Sequence, residues 1–465
     1  MRRALALAAS AIAIGACAET TPAPVTPPLP PAPVAHATTP QAESSPDPAP
    51  VTEGDVTVAW SRGMQILVKR TPGAEFVAAQ LEIRGGTRNW TKDNAGIEHV
   101  ALEVATSGGT KSLPKGPFSQ KLASLGATLN GDARNDFSTI ATKAPLAAWD
   151  DLFPIFVDTF LAPALPASEF DVVKQRELSA RRHEMEDGEG RLWLLARRAV
   201  FAGHPYENRS VGSQETVNAM KVDDLAPYLA KLHDTNRLVL IVVGDVDPAR
   251  VIDQAKSAFA SVLRGSYVET PIPQLHFAAA HLTGDPFKLP TNYIQSMFAG
   301  PAWTDPDFPA MRLGMGLLGQ RVFDEVRTKR NLSYSPQAYF NSGFGAPFGV
   351  LYVTAVDPNT TMQVMYDQTR RLQTELIPAK ELDGTKAVFV SAYVQDHETA
   401  DGQAYDLGDA LLLGGDWHLA KAFLERLRAT TPEDVRRVAV KWIANTQTAI
   451  VGDPAKLDPK VVGAQ

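Results

Sequence analysis

Two side chains that could bind a metal stand one helical turn apart in the first quarter of the sequence. His99 and Glu103 are four positions apart, so both project from one face of a helix. The pattern predicts a helix from Gly96, with Asp93 or Asn94 as its cap. Imidazole and carboxylate both bind zinc, but two such ligands make a poor zinc site without a third. The pair therefore predicts either an incomplete metal site or a solvated, weakly ion-paired helix face.

The residues around this helix resemble the zinc helix of the insulinase/pitrilysin zinc peptidases (inverzincins, of the mitochondrial-processing-peptidase type). The likeness rests on three segments: Gly85-Gly86-Thr87-Arg88, Ala95 to Glu103, and Gly109-Thr110. Active members of that family have the inverted motif His-x-x-Glu-His. Its histidines bind zinc, its glutamate acts as a base toward zinc-bound water, and a glutamate from a later helix completes the ligands.

The motif is incomplete in this sequence whichever way it is aligned. Aligned from Gly96, His99 keeps the first ligand, but Leu102 takes the position of the base and Glu103 that of the second histidine. Aligned from Gly109-Thr110, Glu103 takes the base position and valines replace both histidines. Since neither register restores the motif, His99 and Glu103 are interpreted as vestigial.

The third ligand is tested from a second landmark. Phe201 to Tyr206 contains the Gly-His-Pro sequence that the resemblance places about 24 residues after the ligand glutamate, and counting back from it reaches Ala180. Glu177 and Glu184 lie a turn away and are expected to face differently. We therefore expect no zinc in this chain and zinc in a partner subunit instead.

Two further segments keep the family pattern. Leu125 to Phe137 resembles the strand pair whose edge binds a substrate peptide as an added strand, which suggests Asn130 and Gly131 as substrate-binding residues; the alternative is ordinary sheet. Arg327 and Tyr334, seven positions apart, match an Arg/Tyr pair that in active relatives reaches the substrate at the zinc site, where a cation and a phenol can stabilise the strained carbonyl. The alternative is a surface Arg and a core Tyr.

The elements that must position these residues suggest two similar halves. A helix from Asp224 leads to an apolar strand ending at Gly244-Asp245, and the same order recurs from Asp434 to Gly452-Asp453. The predicted fold class is α+β, with two similar domains, each a mostly antiparallel sheet packed against helices, forming a clam-like chamber. The predicted domains are residues 55–264 and 276–465, joined by a linker at 265–275.

The N-terminus is predicted to carry an export signal. Two arginines and a short apolar run precede Ile14-Gly15-Ala16-Cys17, which resembles a lipoprotein signal cleaved before Cys17, the only cysteine. Residues 1–17 are thus the predicted signal peptide, and the proline-rich residues 18–54 are the predicted tether. Cleavage nearby with loss of Cys17 is the alternative. The expected location is the periplasmic side of a bacterial envelope, lipid-anchored in the outer membrane.

These observations favour a non-catalytic subunit of a heterodimeric zinc peptidase that acts on unfolded peptides. Its partner would be an insulinase-family subunit with an intact His-x-x-Glu-His motif, to which Arg327 and Tyr334 are lent. One alternative is a peptide-binding envelope scaffold without proteolysis; another is a weak metallopeptidase that uses His99 and Glu103. A net charge of −7 gives no electrostatic case for nucleic-acid binding.

Overall fold

The computed structural model describes residues 47–463. The predicted signal peptide, the lipidation site Cys17 and most of the predicted tether lie outside this range, so those predictions remain untested. Within it, no helix combines the length and the apolar character needed to cross a bilayer.

The first sheet is built from the first half of the described chain. Its strands run in the spatial order β1-β2-β3-β7-β4-β6-β5, and all neighbours are antiparallel except β3 and β7. The strands are β1 (Val51–Glu53), β2 (Val56–Ser61), β3 (Met64–Arg70), β4 (Phe76–Arg84), β5 (Thr128–Ala133), β6 (Phe137–Pro145) and β7 (Leu238–Gly244). Since β1 pairs with β2, the sheet begins at Val51, inside the predicted tether.

Eight helices accompany this sheet in the described chain. They are α1 (Ile97–Ser107), α2 (Lys115–Ser124), α3 (Trp149–Leu161), α4 (Ala167–Glu186), α5 (Gly188–Phe201), α6 (Gln214–Ala219), α7 (Leu225–Ala230) and α8 (Pro248–Ala258). Residues 261–280 then contain no helix or strand.

The second sheet has the order β8-β12-β9-β11-β10 and again one parallel pair, β8 with β12. Its strands are β8 (His281–Pro286), β9 (Asn292–Ala299), β10 (Gln337–Asn341), β11 (Phe348–Ala355) and β12 (Gln447–Gly452). Its helices are α9 (Phe308–Val322), α10 (Pro358–Thr374), α11 (Ala379–Asp396), α12 (Ala400–Gly414), α13 (Leu419–Ala429), α14 (Pro432–Trp442) and α15 (Pro459–Gly463).

The two sheets share one topology. The order β3-β7-β4-β6-β5 in the first corresponds strand for strand to β8-β12-β9-β11-β10 in the second, with the single parallel pair at the same place. The strands predicted to end at Gly244 and Gly452 are the equivalent strands β7 and β12. The predicted fold class of two similar halves with mostly antiparallel sheets is therefore confirmed.

Each half contributes one helix that packs against the sheet of the other half. The helix α5 buries Leu192 and Ala196 in one apolar cluster with β9, β11 and β12, whereas α12 buries Ala404 and Leu407 in another with β4 and β7. The apolar stripe of each helix thus covers a sheet made by distant sequence. The halves thus pack directly together through these helices.

Candidate functional site

The helix α1 presents a buried apolar face to the sheet and a polar face to α4. Its buried residues include Val100, Leu102 and Val104, all fully inaccessible to solvent. It begins after Gly96, whose φ of 93° is a left-handed conformation that glycine tolerates, and no side chain caps its first turn. The predicted cap at Asp93 or Asn94 is therefore wrong, because the side-chain oxygen of Asn94 accepts from the backbone of Thr91 instead.

The polar face of α1 meets charged residues of α4 in the α1–α4 ion-pair cluster, which we define as His99, Glu103, Arg176, Glu177 and Arg181. His99 Nε2 lies 3.4 Å from Glu177 Oε2. Arg176 donates from Nη2 to Glu103 Oε2 at 2.9 Å and from Nε to Glu177 Oε1 at 3.2 Å. The guanidinium of Arg176 thus lies between the two carboxylates. It provides the positive charge that a metal ion would otherwise supply.

Glu177 is the central acid of this cluster, and the expectation that it faces away from the zinc helix is wrong. Its side chain is almost fully buried. The hydrogen bond from His99, together with Arg176 and Arg181, lowers the pKa of Glu177 to about 2, although burial alone would raise it. Glu177 is therefore a carboxylate held by surrounding donors.

The donor set of the cluster does not fit a catalytic zinc ion. His99 and Glu177 meet, but the third candidate donor, Glu103, is engaged by Arg176. Leu102, at the position of the base, is fully buried, and Ala180 offers no donor atom. Across residues 47–463 no group of three His, Cys, Asp or Glu side chains is arranged to hold a metal ion. The space between α1 and α4 is thus filled by ion pairs within the chain.

The edge strand β5 lies directly against α1. A Cβ atom at Gly131 would approach the Leu102 carbonyl oxygen to 2.9 Å, so the glycine permits this close contact. Asn130 beside it is exposed, and in the described chain β5 pairs only with β6. The open edge can accept an added strand, and substrate binding by Asn130 and Gly131 stays a prediction.

In the second half, Arg327 lies between two aromatic rings. It sits on a π-helical turn, Phe323–Thr328, with its Cζ 4.1 Å from the ring centroid of Tyr334 and 5.0 Å from that of Phe323. We call these three residues the Arg327 stack. Tyr334 is 77 % exposed and Phe323 40 % exposed. The alternative interpretation of Tyr334 as a core residue is therefore wrong.

The guanidinium of Arg327 remains available for binding. None of its nitrogen atoms forms a hydrogen bond or ion pair with any other described residue, and the neighbouring Glu325 is engaged by Lys329 and Arg330. The guanidinium thus contacts two aromatic rings, and its five N–H donors have no acceptor among the described residues. The role of Phe323 was missed in the sequence; its signal is the position four residues before Arg327 on a helical segment.

A buried acid next to His99 also escaped the sequence analysis. Glu98 is fully buried and accepts hydrogen bonds from Trp90 at 3.2 Å, from Tyr228 and from Ser138. Burial and the Glu98 carboxylate raise the pKa of Tyr228. This network attaches the start of α1 to β6 and α7, so it fixes the orientation of the His99 face.

His204, the histidine of the Gly-His-Pro sequence, has a structural role. His204 Nε2 lies 2.9 Å from the Pro273 carbonyl oxygen, and its Nδ1 accepts from the backbone of Tyr206. The hydroxyl of Tyr206 donates to the buried Asp136, whose carboxylate also accepts from the backbone of Gly345 at 3.0 Å. These contacts tie the first half to the second.

Two family models cover most of the folded chain. Residues 65–209 match "Insulinase (Peptidase family M16)" and residues 219–389 match "Peptidase M16 inactive domain". The chain belongs to the insulinase (M16) peptidase family. Given its ion-paired α1–α4 contact, it is a non-catalytic homologue within that family.

The similar proteins include zinc proteases, and they also include proteins named as a subunit of the cytochrome b-c1 complex and as a non-peptidase homolog. The bovine cytochrome b-c1 complex subunit 1 is 23% identical over 73% of this chain and 74% of its own length. The non-peptidase homolog YmxG of Helicobacter pylori is 21% identical over 68% of this chain and 75% of its own length.

Solved structures share the fold. A peptidase M16 inactive domain from Pseudomonas fluorescens superposes with a TM-score of 0.77 at 19% identity, over 85% of this chain and 97% of that one. The periplasmic protease PqqL of Escherichia coli gives 0.74 at 12% identity, over 89% of this chain but 47% of its own.

Proposed function

We propose that this protein is the non-catalytic subunit of a heterodimeric zinc-dependent peptidase that degrades unfolded peptides in the cell envelope. The observation that carries the proposal is the contrast between two arginines. Arg176 fills the space between Glu103 and Glu177 on the zinc-type helices, whereas Arg327 is half-buried against two aromatic rings and has no polar partner among the described residues. The first arginine is engaged by carboxylates of the same chain, and the second has donors that can bind another molecule.

The Arg327 stack would act on a substrate held by the partner. The partner's zinc, bound by an intact His-x-x-Glu-His motif, would supply the activated water. The guanidinium of Arg327 and the hydroxyl of Tyr334 would donate to the carbonyl under attack, where hydrogen bonds stabilise developing negative charge. Stacking on Phe323 holds the guanidinium in place before substrate arrives.

The packing of the two halves and the names of two relatives support an assembly of two subunits. The two halves of this chain pack directly together through α5 and α12, which leaves an enclosing chamber to a second chain. PqqL is about twice as long as the part matched here, so its chain has room for a second unit of this size. The names of two relatives, cytochrome b-c1 complex subunit 1 and mitochondrial-processing peptidase subunit beta, mark them as subunits.

The experiment is co-expression with a homologue that has an intact His-x-x-Glu-His motif. The complex should hydrolyse an unfolded peptide, and Arg327→Ala should lower kcat about 100-fold, because removing one donor to a developing oxyanion costs about that much. The control is Arg370→Ala, which removes an exposed, ion-paired arginine from α10. Unchanged activity of the Arg327→Ala complex would overturn the proposal.

The second candidate is a peptide-binding envelope scaffold, favoured by the open edge of β5. It predicts peptide binding by the chain alone and no hydrolysis in any complex. A bulky substitution on the edge, Asn130→Trp, should then weaken peptide binding, whereas Arg327→Ala should not.

The lipid anchor is a separate part of the proposal. Cys17 would carry the lipid and hold the chain on the periplasmic side of the outer membrane. Cys17→Ser should move the protein from the membrane fraction to the soluble fraction. Retention of the variant in the membrane would contradict lipidation at this residue.

A further inference from the structure

A cavity of about 630 Å³ lies in the second half, where α9, α11, α12 and α13 meet. This volume is within the range of small-molecule sites. Its walls carry aromatic rings, including Phe389, Tyr393 and Phe423, and it contains one arginine, Arg312. It shares no residue with the α1–α4 ion-pair cluster or the Arg327 stack.

Arg312 is a half-buried cation without a polar partner in the described part of the chain. Its Cζ lies 5.0 Å from the ring centroid of Phe423 and 5.8 Å from that of Phe389. No hydrogen bond or ion pair to its guanidinium is found anywhere in residues 47–463. Burial lowers the pKa of Arg312, while nearby aspartates oppose that shift. The side chain is half-buried, and its five N–H donors are without an acceptor in the described chain, so they can bind an anionic ligand.

The carboxylates of the cavity are engaged by other groups. Asp406 accepts from Tyr393 at 3.2 Å and lies 3.0 Å from His397 Nε2. Asp409 is held by Arg134 of the first half at 2.6 Å. Neither is within bonding distance of Arg312, so the arginine is left for a ligand.

Asp396 differs from these two acids. It lines the cavity, is exposed, and its carboxylate has no hydrogen-bond or ion-pair partner within the described part of the chain. A ligand that reached both Arg312 and Asp396 would need an anionic and a cationic end. The several aspartates also disfavour a polyanion such as a phosphate ester.

We propose that this cavity binds an α-carboxylate beside an aromatic or branched apolar side chain, with the carboxylate on Arg312. Arginine suits a carboxylate because its fork donates two parallel hydrogen bonds. The aromatic walls accept the side chain. Two sources share this chemistry, a free amino acid and the C-terminal residue of a peptide; Asp396 would bind the ammonium group of the first.

The test is calorimetric titration of the full chain with four probes. L-phenylalanine is the amino acid, Gly-Gly-Phe the peptide end, N-acetyl-phenylalanine the carboxylate without the amine, and N-acetyl-phenylalaninamide the uncharged control. We expect at least one of the three carboxylates to bind at least 10-fold more tightly than the amide. Preference for L-phenylalanine identifies the amino acid as ligand, and preference for Gly-Gly-Phe identifies the peptide end.

Arg312→Met should weaken carboxylate binding about 10- to 100-fold, and Arg312→Lys should weaken it less, because lysine keeps the charge but loses the fork. Arg370→Met, on the exposed face of α10, is the matched control and should change nothing. The thermal midpoint of Arg312→Met should stay equal or rise, since the half-buried charge that is removed has no partner in the described chain; a role in the fold alone predicts a fall. Equal binding of amide and carboxylates, unchanged binding by Arg312→Met, or no binding of any probe up to about 10 mM would overturn the proposal.

Discussion

The α1–α4 ion-pair cluster and the Arg327 stack use arginine in opposite ways. Arg176 lies between two carboxylates and is satisfied within the chain, whereas Arg327 lies between two rings and keeps its donors free. Both lie on helical segments of halves that share one sheet topology. Equivalent scaffolds have thus diverged into a closed contact that stabilises and an open surface that can bind. This difference is what the non-catalytic assignment predicts.

The largest expected effect comes from removing the central acid of the closed contact. Glu177→Ala leaves His99, Arg176 and Arg181 without their shared acceptor, and breaking a buried pair in this way costs about 3–5 kcal/mol of unfolding free energy. Urea unfolding followed by circular dichroism measures it. Glu186→Ala, an exposed acid on the same helix, should cost less than about 0.5 kcal/mol. Similar values for the two variants would mean that the cluster contributes little.

A substitution in α5, which packs against the sheet of the other half, tests whether the stability of each half depends on the other. Leu192→Ala on α5 removes a fully buried side chain and should cost about 2–5 kcal/mol. Because α5 covers the second sheet, near-ultraviolet signals from both halves should be lost in one transition at lower urea. A second half that unfolds separately at the wild-type midpoint would contradict mutual dependence.

Acid should weaken the closed contact in a defined pH window. The pKa of Glu177 is depressed to about 2 in the folded state. Its contribution is therefore fully present above the unfolded pKa, near 4.5, and is lost as pH falls from there toward 2. Glu177→Gln should be less stable than wild type at neutral pH, and the difference should shrink over this window. A constant difference from pH 6 to pH 2.5 would refute the depressed pKa.

The smallest effect is expected at Phe323, which touches Arg327 from one side. Phe323→Ala should lower kcat of the proposed complex about 3-fold, in line with an exposed cation–π contact of about 0.5–1 kcal/mol. Folding stability should change by less than about 0.5 kcal/mol. Val440→Ala, an exposed apolar residue on α14, is the control. If both variants match wild type in kcat, the ring does not position the guanidinium.

Repetition in the sequence predicted much of this fold. The Gly-Asp endings of two apolar strands correctly identified β7 and β12 as equivalent, because a buried central strand followed by a turn leaves a strong local pattern. The exchange of α5 and α12 could not be predicted. An apolar helix stripe shows that the helix packs on something, but not which sheet it covers.

The site was predicted only in part. The loss of the zinc motif could be read from Leu102 and Ala180, but the partner of His99 could not. Counting back from His204 assumes a constant chain length between the two landmarks. The residue of α4 that faces α1 is decided instead by the rotation of the helix. Glu177 and Ala180 are three positions apart, so they lie on nearly the same face of α4. Arg327 contacts the ring of Tyr334, while their role at a substrate stays a prediction, and only the structure shows that Phe323 also contacts Arg327.

Metal analysis of the purified full chain tests the central claim most directly. After incubation with zinc and removal of the unbound ion, elemental analysis should give far less than one zinc per chain, and His99→Ala should leave that value unchanged. Arg176→Ala, which frees Glu103 and Glu177, is the informative companion: any zinc gained there would show that the guanidinium occupies the place of the metal. About one zinc per wild-type chain, lost in His99→Ala, would contradict the account.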